Sequence, residues 1–407
     1  IIKIDSIGNK EWDKRYGGNK SELLRSLHQT KDGGYILGGL SVSGISGDKT
    51  QANWDTSETT YDYWIVKIDS LGNKQWDKRF GGIAEEFFWS VRQTTDGGYI
   101  VGGGSNSGIN GDKTQLNWGQ EDFWVVKTDS SGNKQWDKRY GGTGSEELQS
   151  LIQLGDSCFL FAGVSDSPIS GDKSSPSQGQ SDYWFIKTNS NGNKLWDKTY
   201  GGSGIEHLVS SAIENSDSGF LLAGTSESDS SGDKTGNNMA PEETWVIKTD
   251  SNGIKKWDRT INTNTNFDTE MGYAFQSFDG CYVIANYTYA GIGGDKTQPN
   301  WDSINQTVDY FIIKFCDTTS TTSITQSPHP QSPFSISPNP ASESITISSQ
   351  LGKKEIEIYN LLGEKVFQQQ LRTSNFKLQT SNFPNGMYII KAYTDKGVFQ
   401  QKLVISH

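Results

Sequence analysis

Short runs of apolar residues, each ended by a glycine- or asparagine-rich turn, set the rhythm of this chain. From Asp62 to Asp69 it reads Asp-Tyr-Trp-Ile-Val-Lys-Ile-Asp, apolar on both faces, as a strand buried between two layers should be. Ser70-Leu71-Gly72-Asn73 is a turn, and Lys74 to Phe80 makes a second strand that closes a hairpin. After Gly81-Gly82 a third strand is predicted from Phe87 to Gln93 and a fourth from Tyr99 to Ser105. Between those two, Asp96-Gly97-Gly98 is a tight turn in which glycine supplies the positive φ that hairpins need. A longer loop, 106–121, follows, and the pattern restarts at Asp122.

That pattern is written five times, at intervals of about sixty residues. A phrase close to Lys-Xaa-Asp-Ser-Xaa-Gly-Asn-Lys-Xaa-Trp-Asp-Lys places tryptophan at positions 12, 76, 136, 196 and 257. A second, near Asp-Gly-Gly-Tyr, recurs at Asp32, Asp96, Asp156, Asp217 and Asp279. A third, Gly-Asp-Lys-Thr/Ser, recurs at Asp48, Asp112, Asp172, Asp233 and Asp295. Units of four short antiparallel strands, apolar on both faces, must stack to bury themselves; a β-propeller does this radially. Five complete units span about 7–316, and residues 1–6 duplicate the strand Asp309–Phe315. Ile1 to Asp5 also match Ile65 to Asp69, the middle of a strand, so a leader is expected before Ile1, and either further blades lie outside this sequence or the first strand completes a split blade.

Composition sharpens this picture. The 407 residues include 46 Gly, 13 Trp and 16 Tyr but only 10 Pro, which favours short strands over helices. A net charge of −11 argues against a nucleic-acid partner, because phosphate binding needs a basic face. No apolar stretch is long enough for a transmembrane helix. Cys158 and Cys281 occupy the same slot in units that are not neighbours, and Cys316 ends the last strand. All three are expected to be reduced, packed thiols.

Candidate chemistry is sparse. The recurrent Asp, Gly and Trp of the first phrase read as a turn cap, a left-handed turn residue and a wedge between units. Asp48, Asp112, Asp172, Asp233 and Asp295 could contribute to calcium sites, although the adjacent lysine opposes a cation and an Asx-turn explains them better; no cofactor is otherwise expected. Trp54, Trp118 and Trp301, at matching places on the long loops, form a potential aromatic rim for carbohydrate or protein, or else staple the loops to neighbouring units. Glu22, Glu86, Glu147 and Glu206 recur near the start of the third strand, but a residue repeated in each unit serves the unit, whereas an active site is asymmetric. His28, His207, His329 and His407 fall at unrelated positions. The chain therefore reads as a binding protein rather than an enzyme. The positions to inspect for an asymmetric site are His207, Glu242, Glu243 and Asp268.

At Asp317 the rhythm stops. Residues 317–332 have the Ser/Thr/Gln/Pro composition of a linker, and 333–407 carry 8 Lys and Arg against 5 Asp and Glu, the reverse of the rest. Short alternating strands in this last segment predict a small antiparallel, Ig-like β-sandwich. Its motifs are Ser337-Pro338-Asn339-Pro340-Ala341, then Ile358-Tyr359-Asn360-Leu361-Leu362-Gly363, then Phe383-Pro384-Asn385-Gly386-Met387-Tyr388, and last Lys402-Leu403-Val404-Ile405. Taken in this order they resemble the type A C-terminal sorting domain of the type IX (Por) secretion system of Bacteroidetes.

The resemblance implies an address. Such cargo crosses the periplasm, is directed through the outer membrane by the folded sorting domain, and meets a shuttle barrel, a translocon and a sortase. Pro338, Asn339, Pro340, Tyr359, Gly363, Pro384, Gly386, Tyr388 and Lys402 carry the match. Cleavage by the sortase is expected near 317–335. The whole chain is thus read as an all-β protein: a propeller over 1–316, a linker over 317–332 and a sorting domain over 333–407. It is expected to be secreted or displayed at the cell surface, the propeller binding a glycan or a protein. A polysaccharide-acting hydrolase or lyase is the alternative.

Overall fold

The computed structural model describes residues 1–263, 269–277, 279–302, 307–317, 334–339, 341–349, 354–360, 365–371, 375–394 and 397–405. The chain divides into two units, Ile1–Asp317 and Thr318–His407. Strands β1 (Ile2–Ile4) and β2 (Lys10–Asp13) form a two-stranded sheet at the start. Then come three four-stranded sheets. They comprise β3 (Glu22–Gln29), β4 (Tyr35–Ser41), β5 (Asp62–Ile68) and β6 (Lys74–Phe80); β7 (Glu86–Gln93), β8 (Tyr99–Ser105), β9 (Asp122–Thr128) and β10 (Lys134–Tyr140); and β11 (Glu146–Gln153), β12 (Phe159–Ser165), β13 (Asp182–Thr188) and β14 (Lys194–Tyr200). A fourth holds β15 (Glu206–Glu214), β16 (Phe220–Ser226), β17 (Glu243–Thr249) and β18 (Lys255–Ile261). The fifth has three strands, β19 (Thr269–Gln276), β20 (Tyr282–Thr288) and β21 (Asp309–Phe315).

In the first unit the ladders run antiparallel between consecutive strands, and successive sheets stack as propeller blades. One core cluster joins Tyr63 and Ile65 of the first four-stranded sheet to Phe88, Val91 and Trp124 of the second. Equivalent clusters join the second to the third, the third to the fourth and the fourth to the fifth. This is why β5, β9 and β17 are buried along their whole length. Trp124, Trp184 and Trp245 are fully buried at these junctions, where truncation to alanine costs about 3–5 kcal/mol each.

The blade is cut from the sequence half a repeat away from where the pattern suggests. The hairpins 62–80 and 86–105 lie in different sheets, and the long loop 106–121 runs within one sheet, from β8 to β9. The reason is local: β8 and β9 pair along their full length, Tyr99 opposite Thr128 and Ser105 opposite Asp122, whereas Gly81-Gly82 carries the chain across to the next sheet.

The tryptophan wedge is observed directly. Gly132 has φ +77°, and a Cβ there would lie 2.8 Å from the Trp76 ring of the preceding sheet. Gly72, Gly192 and Gly253 sit in the same way under Trp12, Trp136 and Trp196. The cap is also present: Asp69 Oδ1 accepts the backbone N–H groups of Leu71 (2.9 Å) and Asn73 (2.8 Å).

One cysteine expectation fails. Cys281 and Cys316 form a disulfide with Cα atoms 4.2 Å apart, and only Cys158 is free among the described residues. The two belong to different phrases, but β20 and β21 pair with Tyr282 opposite Phe315, which sets the flanking residues side by side. A disulfide suits a chain that reaches an oxidising compartment.

The second unit is a two-sheet sandwich. One sheet orders β22 (Phe334–Ser337), β23 (Ser344–Ser349) and β26 (Asn375–Gln379). The other orders β25 (Lys365–Leu371), β24 (Lys354–Asn360), β27 (Gly386–Thr394) and β28 (Gly397–Ile405). Ile345 and Ile347 from the first pack with Ile356, Ile358, Ile390 and Leu403 from the second in one core.

Candidate functional site

The long loops hold the residues singled out as a rim or as metal ligands, and each loop is pinned from within. Lys49 turns inward: its Nζ donates to Ser41 Oγ (3.0 Å), Ser43 O (2.8 Å) and Asn53 Oδ1. Lys113, Lys173, Lys234 and Lys296 are buried in the same way on hydroxyl, amide and carbonyl oxygens. Burial pushes Lys49, Lys113, Lys173 and Lys234 down to about 8. The ammonium thus takes the oxygen donors that a bound cation would need.

The neighbouring aspartates are engaged by N–H donors from another part of the fold. Asp112 accepts from Arg79 Nη1 (2.6 Å), Gly81 N (3.2 Å) and the indole Nε1 of Trp54 (3.0 Å). Asp172 accepts from Arg139 Nη1 (2.6 Å) and Gly141 N (3.3 Å), Asp233 from Gln178 Nε2 and Gly201 N, and Asp295 from Arg259 Nη2 (2.8 Å) and Asn262 N (2.9 Å). Asp48 accepts from Gly17 N (3.1 Å). Among the described residues no group of three His, Cys, Asp or Glu side chains is arranged to hold a metal ion.

Trp54 and Trp118 are staples between sheets. The Arg79 guanidinium lies 4.6 Å from the Trp54 ring centroid and that of Arg139 lies 4.9 Å from Trp118. Each indole rests on the Gly-Asp corner of the next sheet, at Gly111 and Gly171. Trp54 and Trp118 nevertheless remain 42 % and 55 % exposed, each with an arginine over one face of its ring. Trp301 has the same backbone anchor, its N–H on Asp309 Oδ2 at 2.7 Å, but its ring is 97 % exposed.

The recurrent glutamates are structural, and the third member of the series is Glu146, not Glu147. Glu86, Glu146 and Glu206 are buried at the start of the innermost strands. There they accept from serine pairs such as Ser165 (2.7 Å) and Ser167 (2.5 Å) on Glu146. Burial raises Glu86 and Asp62, which share a hydrogen bond, and likewise raises Glu146 and Asp122.

Glu147 is free of that series and faces an asymmetric cleft of about 260 Å³, together with Gln149, Asp166 and His207. His207 Nε2 lies 3.0 Å from Glu227 Oε1. Glu121 stands beside this group; burial, with the charges of Glu147 and Glu146, pushes it up to about 8. No local pattern signals the meeting of Glu121, Glu147 and His207, because the three come from separate repeats. Of the other positions chosen for asymmetry, Glu242 accepts from Thr225, Glu243 accepts from Thr263 N (2.7 Å), and Asp268 lies outside the described residues.

In the second unit the sorting motifs converge on the last strand. Asn339 Nδ2 donates to Lys402 O (2.7 Å), its Oδ1 accepts from Val404 N (2.8 Å), and Ala341 N donates to Val404 O (2.8 Å). Pro338 precedes this clamp, and Gly386 opens β27 opposite Ile405. Tyr388 is buried with its hydroxyl on Pro384 O (2.8 Å). Tyr359 donates to Glu357 (2.5 Å) beneath the ammonium of Lys391. Pro340, Gly363 and the linker 318–332 lie outside the described residues.

Residues 335–406 match the family described as secretion system C-terminal sorting domain. An ulvan lyase of Nonlabens ulvanivorans is 36% identical over 72 residues, 17% of this chain and 14% of that protein. The regulatory protein FlaEY of Caulobacter vibrioides is 24% identical over 161 residues, 38% of this chain and 17% of that one. The chain thus spans less than a fifth of either curated relative. Among solved structures, PorZ of Porphyromonas gingivalis, a surface component of the type IX secretion system, is similar over 98% of this chain and 61% of its own, with TM-score 0.33 and 10% identity. A thermostable family-43 glycoside hydrolase is similar over 74% of this chain and 92% of its own, with TM-score 0.38 and 11% identity. No helix is long and apolar enough to cross a membrane among the described residues. Residues 335–406 therefore belong to the C-terminal sorting domain family, and the chain is cargo of the type IX secretion system, exported to the cell surface or beyond it.

Proposed function

We propose that the exported propeller is a binding module that takes a neutral glycan on its loop rim. The observation that carries this reading is the pair of half-exposed indoles, Trp54 and Trp118, each held rigid by an arginine behind it. A fixed aromatic face open to water is preorganised for stacking against a sugar ring, so little side-chain entropy is lost on binding. A net charge of −11 disfavours polyanionic ligands and favours uncharged ones. The sorting domain is the export signal read by the outer-membrane shuttle barrel, translocon and sortase, with cleavage in the linker.

Affinity electrophoresis of the purified chain in gels containing neutral or sulfated polysaccharides tests the reading. A neutral glycan should retard the chain, and Trp54→Phe combined with Trp118→Ala should weaken retardation at least about tenfold, the equivalent of about 1.4 kcal/mol. Retardation by none of the glycans, or retardation unchanged in the double variant, would remove it.

The cleft of Glu147, Asp166 and His207 favours a second reading, a polysaccharide hydrolase or lyase. A Glu121 carboxyl pushed up to about 8 by burial, with a second carboxyl on Glu147 beside it, is a pairing that acid–base chemistry on a glycosidic bond can use. Release of reducing ends, abolished by Glu121→Gln, would establish it in place of the binding reading.

A further inference from the structure

Repeated blades allow one position to be compared with its equivalents inside the same chain. Where the copies agree, the residue serves the blade; where one departs, the fold did not demand it. The residue just before the third strand of each four-stranded sheet is such a position: Tyr61 before β5, Glu121 before β9, Ser181 before β13 and Glu242 before β17. Three of these four side chains cover the neighbouring strand. Tyr61 packs on the core cluster that contains Leu40 of β4. The Glu121 side chain takes up the place that a Cβ on Gly104 of β8 would need. Glu242 accepts from the hydroxyl of Thr225 on β16. Leu40, Gly104 and Thr225 stand at one register position, opposite Tyr63, Phe123 and Thr244, and all three are buried.

In the third sheet the cover is missing. Val164 of β12 holds the same register, opposite Tyr183, but Ser181 is too short to reach across it, and Val164 is only partly buried. The space left is the cleft of about 260 Å³ between the third and fourth sheets. Val164, Ser181 and Ile205 line it together with Glu147, Asp166 and His207. Two of the polar groups are held in place: Asp166 Oδ1 accepts from Ser145 N (2.6 Å), and His207 Nε2 lies 3.0 Å from Glu227 Oε1.

This lining selects the chemistry of its occupant. Two carboxylates repel an anion, and no group of three His, Cys, Asp or Glu among the described residues is arranged to hold a metal ion. The aliphatic side chains of Val164 and Ile205 offer a small hydrated cation no partner. A sugar ring suits both kinds of lining. Its C–H surface can cover the aliphatic side chains, while its hydroxyls donate to Glu147 and Asp166, which as carboxylates only accept. We propose, resting on the reading of the propeller as glycan-directed, that this cleft is a subsite for one neutral sugar ring and that Ser181 is the residue that opens it.

Saturation-transfer difference NMR on the purified full chain tests this, with the methyl glycosides of glucose, galactose, mannose, xylose, fucose and rhamnose, and with protonated methyl glucosaminide. At least one neutral glycoside should receive saturation from the unaltered chain. Ser181→Glu installs the covering side chain of two sister sheets, so it should fold with an unchanged melting midpoint yet bind at least about tenfold more weakly. Ser181→Ala should keep binding, because the shortness of the side chain and not its hydroxyl opens the cleft. His207→Phe, which places in β15 the residue that β7 carries at this register, is a second variant expected to weaken binding. Saturation of no neutral glycoside would overturn the subsite; if neutral polysaccharide still retards the chain in the gel assay, the glycan-directed reading survives that loss. Binding undiminished in Ser181→Glu would overturn it too. Transfer confined to methyl glucosaminide would do the same, giving the cleft to an ammonium ligand.

Discussion

Loss of water displaces the Glu86–Asp62 carboxyl pair and four buried loop lysines from their ordinary protonation ranges. The Glu86–Asp62 pair titrates above the normal carboxylate range, so the folded state holds protons that the unfolded chain has released. Its stabilising effect is complete below about pH 4 and is lost as pH rises through the raised value. Lys49, Lys113, Lys173 and Lys234 do the opposite: at about 8 the folded state gives up protons that the unfolded chain keeps until near 10.5, so stability climbs over that interval. Thermal unfolding between pH 5 and 10 should therefore pass through a minimum near pH 8. Glu86→Gln, which keeps a hydrogen bond but cannot ionise, should flatten the acidic side of that trough. A midpoint that rises steadily across pH 5 to 8 would contradict the assignment.

The hairpin turn and the tryptophan that lies on it form one device at the scale of the element. Gly132 is doubly constrained, by its φ of +77° and by the Trp76 ring, whereas Gly8, at φ +90°, has nothing within 4 Å of the place a Cβ would occupy. Both positions carry the backbone penalty for a non-glycine residue, about 1 kcal/mol. Only Gly132→Ala must also push a neighbouring blade away, adding about 1–3 kcal/mol of the overpacking kind. Urea titrations should thus separate the two variants clearly, with Gly8→Ala showing only the backbone loss of about 1 kcal/mol. Equal midpoints for both would mean that the wedge contributes little. The disulfide acts on the same scale: Cys281–Cys316 ties β20 to β21, an edge strand of its sheet among the described residues.

For the whole molecule, the separate core of the sandwich is what makes a terminal export signal workable. Its isoleucines and leucine pack on each other, and the Asn339 clamp fixes the last strand to the first motif within the same unit. Removing residues 335–405 should leave the propeller's melting transition unchanged while abolishing delivery outside the cell, read by fractionating cells into periplasm, surface and medium. Undiminished export of the truncated chain would sink the assignment of the tail as the signal.

Periodicity was enough to predict short antiparallel strands, blades of four and a separate tail, because strand length, turn glycines and alternation are properties of neighbouring residues. The sorting motifs were legible for the same reason: Asn339 and Lys402 stand in short phrases that resemble the family's even though their contact spans the domain. Three things were decided only in space. The blade boundary depends on which hairpins pair across a long loop, the disulfide on strand register, and the meeting of Glu121, Glu147 and His207 on the stacking of separate repeats. A repeated sequence makes every copy look alike; the difference between an inner and an end blade, and so the exposure of Trp301 and Tyr310, arises because burial belongs to the neighbours a residue meets rather than to the residue itself.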